Sequence, residues 1–266
     1  MRICTNADDF GEHEDSTRAT IECLDKGALT GATIMPKMPA TDLAVAYAKS
    51  RPDLSWGVHL TYVNNTVEAP VLDPATLPGL VNEKGLFLPS QKVRIMALFN
   101  KLNIDEIERE TEAQIRSLID KEVAIHHVDS HGHLHKFGPF RKALMRVLPR
   151  VGLTRVRGVQ DIYLKKPLKS FTYWFGPLHK AKIKAAFDTT DYFYMPSSAW
   201  DIDWEQPLLD RLAKLDPNAT IEVGVHPGYA EEWRKTEHAG IMKFAQLAKA
   251  AGHTLIGWKD VPTRRL

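Results

Sequence analysis

The chain is poor in cysteine. Two residues among 266, Cys4 and Cys23, are too few for a disulfide scaffold, and with no paired cysteines a closed thiolate zinc site is also excluded. Both read as buried free thiols, Cys4 within a core strand, and a reducing cytoplasm is the expected compartment. Long uncharged apolar runs are missing as well: no stretch approaches the roughly 18 residues that a membrane-crossing helix needs. Asp8 and Asp9 follow Arg2 with no apolar segment between them that would mark a signal peptide. Nor is there an excess of one charge. Lysine and arginine total 35 and aspartate and glutamate 33, a net charge of +2 with histidine neutral, which gives no reason to expect nucleic-acid binding. Internal repeats, low-complexity tracts and linkers are absent too. What is left, 44% hydrophobic and 26% charged, is the balance of a globular chain with a substantial core, expected as a single domain over residues 1–266.

Within that balance, apolar β-leaning runs alternate with longer amphipathic ones, the pattern of βα units around a parallel sheet. Strands are expected at Arg2 to Asn6, Thr30 to Met35, Leu54 to Leu60, Ala124 to Asp129, Thr154 to Arg157, Tyr192 to Met195, Thr220 to His226 and Thr254 to Trp258. Helices are expected at Asp15 to Lys26, Thr41 to Ser50, Ile104 to Glu122, Phe140 to Val151, Trp204 to Leu215 and Ile241 to Ala251. Thr61 to Asn103, rich in Pro, Gly and Asn, reads as a long functional loop or partly ordered lid. The fold class implied is α/β, a TIM-like (β/α) barrel of about seven to eight units.

The chemistry-bearing residues share one position in this pattern. Asp8 and Asp9, His59, His131 and His226 all fall at carboxyl ends of expected strands, where parallel α/β folds place their active sites. Asp9, His59 and His131 offer one hard oxygen and two imidazole nitrogens, a set that leaves open positions on a divalent metal and so suits catalysis rather than structure. Such an ion brings the pKa of coordinated water down toward about 7, and Asp8 is placed to take the proton. In the cluster Asp129-Ser130-His131-Gly132-His133-Leu134-His135, Gly132 breaks the strand, so only some of the histidines can reach one ion. Asp129 could fix the tautomer of a liganding histidine from behind, with His133 and His135 as further supporting or substrate-facing residues. His226, turned out at the sheet edge by Pro227-Gly228, suits a general acid.

Four motifs in this order, Asn6-Ala7-Asp8-Asp9-Phe10-Gly11, Gly57-Val58-His59-Leu60, Val128 through His135 and His226-Pro227-Gly228, resemble the YdjC-like carbohydrate deacetylases of the chitooligosaccharide deacetylase type. The resemblance implies a distorted (β/α) barrel and metal-dependent removal of an N-acetyl group from a sugar. It also implies Asp9, His59 and His131 as metal ligands, Asp8 as general base and His226 as the group that assists the leaving amine. The metal would be zinc or magnesium, with manganese, cobalt or nickel as alternatives. After His59 the chain departs from the family, carrying Thr61-Tyr62-Val63-Asn64-Asn65 in place of a leucine-threonine stretch with a glycine.

Tyr163 to Phe187 matches none of those motifs. Phe171, Trp174 and Phe175 stand there among Lys165, Lys166, Lys169, Lys180, Lys182 and Lys184, as in an amphipathic helical hairpin or a flap that meets an anionic or lipid-linked glycan. Trp200, Trp204, Tyr229 and Trp233 are aromatics that could stack on a sugar or fill the core. The expected partner is an N-acetylated sugar, with lipid linkage and homo-oligomerisation left open. A phosphoesterase, with Arg155 and Arg157 on a phosphate, and a metal-dependent sugar-binding protein without turnover are the alternative readings.

Overall fold

The first strand, β1 (Arg2–Phe10), is the member on which the others assemble. The computed structural model describes residues 1–263 apart from 66, 166, 169, 170 and 198–200. All of β1 after Arg2 is buried, as expected of a parallel strand covered on both faces. Ile3 and Ala7 join the main apolar core, while Cys4 packs with Trp258 and Val261 in a separate small cluster. Asn6 and Asp8 follow Cys4 at the two-residue period of a strand and share its side.

Beside β1 lie β2 (Gly31–Ile34), paired from Asn6 onward, and β6 (Thr220–Val225), paired from Arg2 to Ala7. Beyond β2 come β3 (Ser55–Leu60) and β4 (Ile125–Ser130), and beyond β6 comes β5 (Tyr192–Tyr194), giving the order β4-β3-β2-β1-β6-β5 with every pair parallel. A short β7 (Thr254–Leu255) pairs with the amino-terminal end of β1. Residues 154–157 link the two edges: Val156 bridges Val128 of β4, and Arg155 bridges Asp188, just ahead of β5. The result is the distorted barrel the sequence implied. The strand expected at Thr154 to Arg157 is present only as these isolated bridges, because the chain between Gly152 and Gly158 touches each neighbour over too few residues to form a ladder.

Around the sheet run α1 (Glu14–Asp25), α2 (Thr41–Ser50), α4 (Ile104–Ile119), α5 (Gly138–Val147), α7 (Glu205–Leu212) and α8 (Glu232–Ala250), with α3 (Ser90–Leu98) and α6 (Phe171–Ala186) set in longer connections. In α4 the apolar stripe Ile107, Ile115, Leu118 is buried, and Asn103 caps the helix by accepting from the Asp105 amide. A polar stripe beside it explains why the long segment after β3 is ordered. Glu106 accepts from the Gly79 amide, Glu110 from Val71 and Leu72, and Gln114 from Thr61, so α4 binds the loop through its backbone.

Several elements differ from the sequence reading; β1 runs on to Phe10 and β7 is confined to Thr254–Leu255. The expected loop Thr61 to Asn103 contains α3, whose buried stripe is only Val93 and Ala97, too narrow to register as a periodic signal. Within Tyr163 to Phe187 the described residues contain one helix, α6 (Phe171–Ala186), rather than a hairpin, and it carries Pro177 inside it. Lys166 and Lys169 lie outside the described residues, as does the side chain of Phe171. The helix expected from Ile241 starts at Glu232, since its first turns bury Arg234 and Glu237 instead of apolar side chains. Trp204 precedes α7 and is core: it is 1% exposed, packs against Tyr194 and Phe244, and sits so close over Gly240 that a Cβ there would lie 2.5 Å from its Nε1.

The barrel interior is polar at its open end and plugged at the other. Trp258 stacks on His127 with ring centroids 4.5 Å apart and donates from Nε1 to Glu222 at 3.2 Å. Gly57 of β3 leaves the room for this stack: a Cβ there would lie 2.5 Å from His127 Cε1 and 2.6 Å from Thr33 Cγ2. Gly57→Ala should therefore destabilise the fold by about 1–3 kcal/mol, the usual cost of overpacking, read from the urea midpoint at unchanged m-value.

Candidate active site

Carboxyl ends of the strands open on one rim, and there the backbone of β1 departs from regular geometry. Asp9 has φ +57°, and the register against β2 shifts between Ala7 and Phe10. On a regular strand Asp8 and Asp9 would face opposite ways; the left-handed turn at Asp9, of a kind aspartate tolerates better than most residues, brings both carboxylates to one cleft. That cleft, about 640 Å³, is also lined by Glu12, His59, His131, His226 and Trp233.

Three of the expected residues converge there. Asp9 Oδ1 lies 2.9 Å from His131 Nδ1 and 3.2 Å from His59 Nε2. One ligand atom from each of Asp9, His59 and His131 falls within 4.8 Å of the others. The donor set fits a divalent cation on chemistry as well as distance, because the outer nitrogen of each ring is held from behind. His59 Nδ1 is 2.7 Å from Asp129 Oδ1, and His131 Nε2 is 2.7 Å from the Asn65 side-chain amide. Thr33 Oγ1 donates to Asp129 Oδ2 at 3.1 Å and so fixes that carboxylate in turn. Burial opposes the charged form of His59, but the Asp129 carboxylate beside it wins and holds the ring well above the usual histidine range. A cation in this position would take over the charge and release that proton.

The other two histidines of the cluster do not join them. Gly132 and His133 both adopt left-handed backbone, φ +63° and +55°, and the chain turns away after His131. His135 is tucked inside, with Nδ1 2.8 Å from Ser130 Oγ and Nε2 donating to the Gly158 carbonyl, and burial pushes it down to about 3. His133 borders the cleft but packs edge-on against Phe193, and its burial keeps it neutral.

Asp8 is bound by a residue the sequence reading had placed elsewhere. Arg157 is fully buried in the barrel and grips Asp8 with two nitrogens, Nη1 to Oδ2 at 2.5 Å and Nη2 to Oδ1 at 2.6 Å. The same guanidinium reaches Asp129 Oδ2 at 2.6 Å and Glu222 Oε1 at 2.6 Å, and stacks on Phe193. Burial alone would raise the Asp8 pKa; the charge of Arg157 outweighs it and holds the carboxyl well below the usual range. Arg157 is thus committed to carboxylates, and Arg155 donates to the carbonyls of Val261 and Lys259 near the plugged end. Neither guanidinium lines the cleft, which removes the feature that favoured a phosphoesterase. A second cation among Asp8, His59 and Asp129, the other group close enough to hold one among the described residues, would compete with the guanidinium.

His226 faces both aspartates across the cleft, Nε2 3.9 Å from Asp8 Oδ2 and 4.0 Å from Asp9 Oδ2. Glu237 of α8 accepts from its backbone amide at 2.6 Å and lies 3.1 Å from Nδ1. Burial lowers the ring's basicity, yet the Glu237 carboxylate outweighs it and His226 is pushed up to about 9. Arg234, one turn earlier, donates to Asp9 Oδ2 at 3.1 Å and to Glu12 at 2.6 Å, with its guanidinium over the Trp233 ring. Of the aromatics considered for sugar stacking, Trp233 borders the cleft. Tyr229 is bound to Glu22 of α1, and Trp200 lies outside the described residues.

Sequence reasoning missed Arg234, Glu237, Thr33 and Glu222. A usable signal existed for Glu222 alone, a carboxylate in the middle of the apolar run Thr220-Ile221-Glu222-Val223-Gly224-Val225.

The model of the family described as YdjC-like protein matches residues 2–251. A carbohydrate deacetylase of Listeria monocytogenes serotype 4b is 36% identical over 240 residues, spanning 87% of this chain and 83% of its own length. One of Halalkalibacterium halodurans is 32% identical over 233 residues, spanning 87% of each. Among solved structures, a candidate cellobiose-phosphate cleavage protein of Enterococcus faecalis V583 superposes with a TM-score of 0.78 at 22% identity, over 98% of this chain and 99% of its own, and so shares the fold.

Glu222 offers a test of the interior charge arrangement. Burial raises it from an ordinary 4.5 to about 7 despite Arg157, and its Oε2 has no hydrogen-bond partner. The folded chain therefore holds this proton more tightly than the unfolded one, and stability falls as pH rises from about 4.5 through about 7. Glu222→Gln should remove that loss, exceeding the parent by on the order of 2–3 kcal/mol at about pH 8 and matching it near about pH 4. Urea unfolding across this range measures it; an unchanged slope would contradict the assignment.

Proposed function

The chain belongs to the YdjC-like family, and from that premise we propose that it hydrolyses the N-acetyl amide of an N-acetylated sugar or oligosaccharide, giving acetate and an amino sugar. The named relatives are carbohydrate deacetylases. The single observation that carries the reading is the convergence of Asp9, His59 and His131 in a cleft flanked by Asp8 and His226. We assign Asp9, His59 and His131 as ligands of one divalent ion, zinc or magnesium before manganese, cobalt or nickel. Once bound, that ion supplies a Lewis acid for the acetamide carbonyl and acidifies water.

The remaining work falls to the side chains. Asp8, kept anionic by Arg157, accepts a proton from the attacking water. His226, kept protonated by Glu237, donates from Nε2 to the departing nitrogen. The two groups lie 3.9 Å apart with their pKa values driven in opposite directions, which separates the acid from the base. Asp129 and Thr33 hold the His59 ring in place, while Trp233 and His133 border the space for the sugar. His135 supports the loop through Ser130 and does not meet substrate. We take the whole chain as one deacetylase domain working in the cytoplasm, where Cys4 and Cys23 stay reduced, and leave lipid linkage of the glycan and self-association to direct assay.

The test is an acetate-release screen over N-acetylated mono-, oligo- and lipid-linked sugars, with and without chelator. Asp9→Ala and His131→Ala should each reduce turnover on the order of a hundredfold or more and lower the bound metal measured by elemental analysis. His226→Ala should cost about 10²–10⁴-fold in turnover with the metal content unchanged. A sugar-binding protein without turnover would instead be stabilised by these sugars and release no acetate from any of them.

A further inference from the structure

Outside the cleft, the described residues include eleven large apolar side chains that stand exposed. Six of them belong to two elements beside the cleft. On α3 and just after it are Ile95, Leu98 and Phe99, the last 70% exposed. On the first half of α6 are Trp174, 63% exposed, Phe175 and Leu178. Both elements border the loop that carries His131. Arg94 of α3 donates to the Gly132 carbonyl at 2.5 Å, and His179 of α6 packs its ring against Phe137.

The two stretches of chain that carry these side chains are rich in basic residues. Between Glu83 and Asp105 the chain has no acid, and between Asp129 and Asp188 it has thirteen lysines and arginines against one acid, Asp161. Many of these cations are committed: Arg146 and Arg150 pair with α4, Arg155 and Arg157 turn inward, and on α6 Lys180 pairs with Asp161 and Lys184 with Asp191, while Lys166 and Lys169 lie outside the described residues. Lys92, Lys101 and Lys182 stand exposed near the apolar side chains of α3 and α6.

We propose that the rim formed by α3 and the first half of α6 is a peripheral docking surface for an anionic bilayer. Trp174, Phe175, Leu178, Ile95 and Phe99 enter the headgroup layer, and the neighbouring lysines meet lipid phosphates. A second copy of this chain would bring like charges face to face, and a polyanion would engage the lysines but leave the aromatic and aliphatic tips in water. An anionic lipid surface satisfies both features. The cleft shares His133 and Gly132 with this side of the rim, so docking would turn its mouth toward the membrane. None of this depends on the deacetylase reading, and it is measured without turnover.

The experiment is co-sedimentation of the full-length protein with phosphatidylcholine vesicles and with vesicles that also contain phosphatidylglycerol. The expected result is binding to the anionic vesicles alone, weakened by salt. Lys182→Glu should reduce partition about fivefold per unit of charge lost. The double variant Trp174→Ser, Leu178→Ser, and separately Phe99→Ser, should each reduce it about tenfold, with the circular dichroism spectrum and thermal midpoint unchanged. The proposal is overturned if the parent protein ignores anionic vesicles or if the apolar variants bind as well as the parent. It is also overturned if those variants abolish self-association in size-exclusion chromatography while vesicle binding is nil.

Discussion

A single guanidinium, that of Arg157, is the contact on which the interior of this barrel depends. It ties the residues 154–157 to β1, β4 and β6 by binding Asp8, Asp129 and Glu222, all of them buried. In that surrounding, carboxylates at such spacing would repel each other and lose their hydration, and only a cation among them makes the arrangement tolerable. Packing seals it: Phe193 stacks on one side, and the Trp258–His127 pair closes the barrel beneath. The fold thereby carries a fixed positive charge directly under the cleft.

The chemistry of the rim follows from that charge and its counterpart on α8. Arg157 draws Asp8 toward its anion and Glu237 draws His226 toward its cation, although both groups face the same cleft. Asp129 accepts from Arg157 and Thr33 through one oxygen and from His59 through the other, so the guanidinium and the imidazole are positioned by one carboxylate. Displacing any of these side chains alters the electrostatics of the rest, which is the expected behaviour of a buried polar network. The long segment after β3 is attached to the same frame through α4, and Asn65 at its tip reaches His131.

How much of this was legible beforehand depended on the kind of signal. Alternating β-leaning and amphipathic runs gave the parallel barrel, and the polar residues that close those runs marked its working rim, because strand ends in such folds converge whatever the loops do. Local signals failed where burial was polar. The start of α8 hides Arg234 and Glu237 with no apolar stripe, and α3 buries too little to show one. Arg157 looked available for a phosphate only because a strand residue's direction is not readable when its strand is a pair of single bridges.

The sequence by itself determined the family, the order of the βα units and the placing of Asp8, Asp9, His59, His131 and His226 at strand ends, since all of these rest on residue type and spacing along the chain. Only the tertiary structure decided which partner each of them meets. Asp9 faces the two imidazoles, Asp8 the guanidinium and His226 the glutamate, because a left-handed residue at Asp9, the turn through Gly132 and His133, and the early start of α8 each rotate side chains by contacts between distant segments. Such rotations cost little locally and are fixed by charges that come together only when the barrel closes.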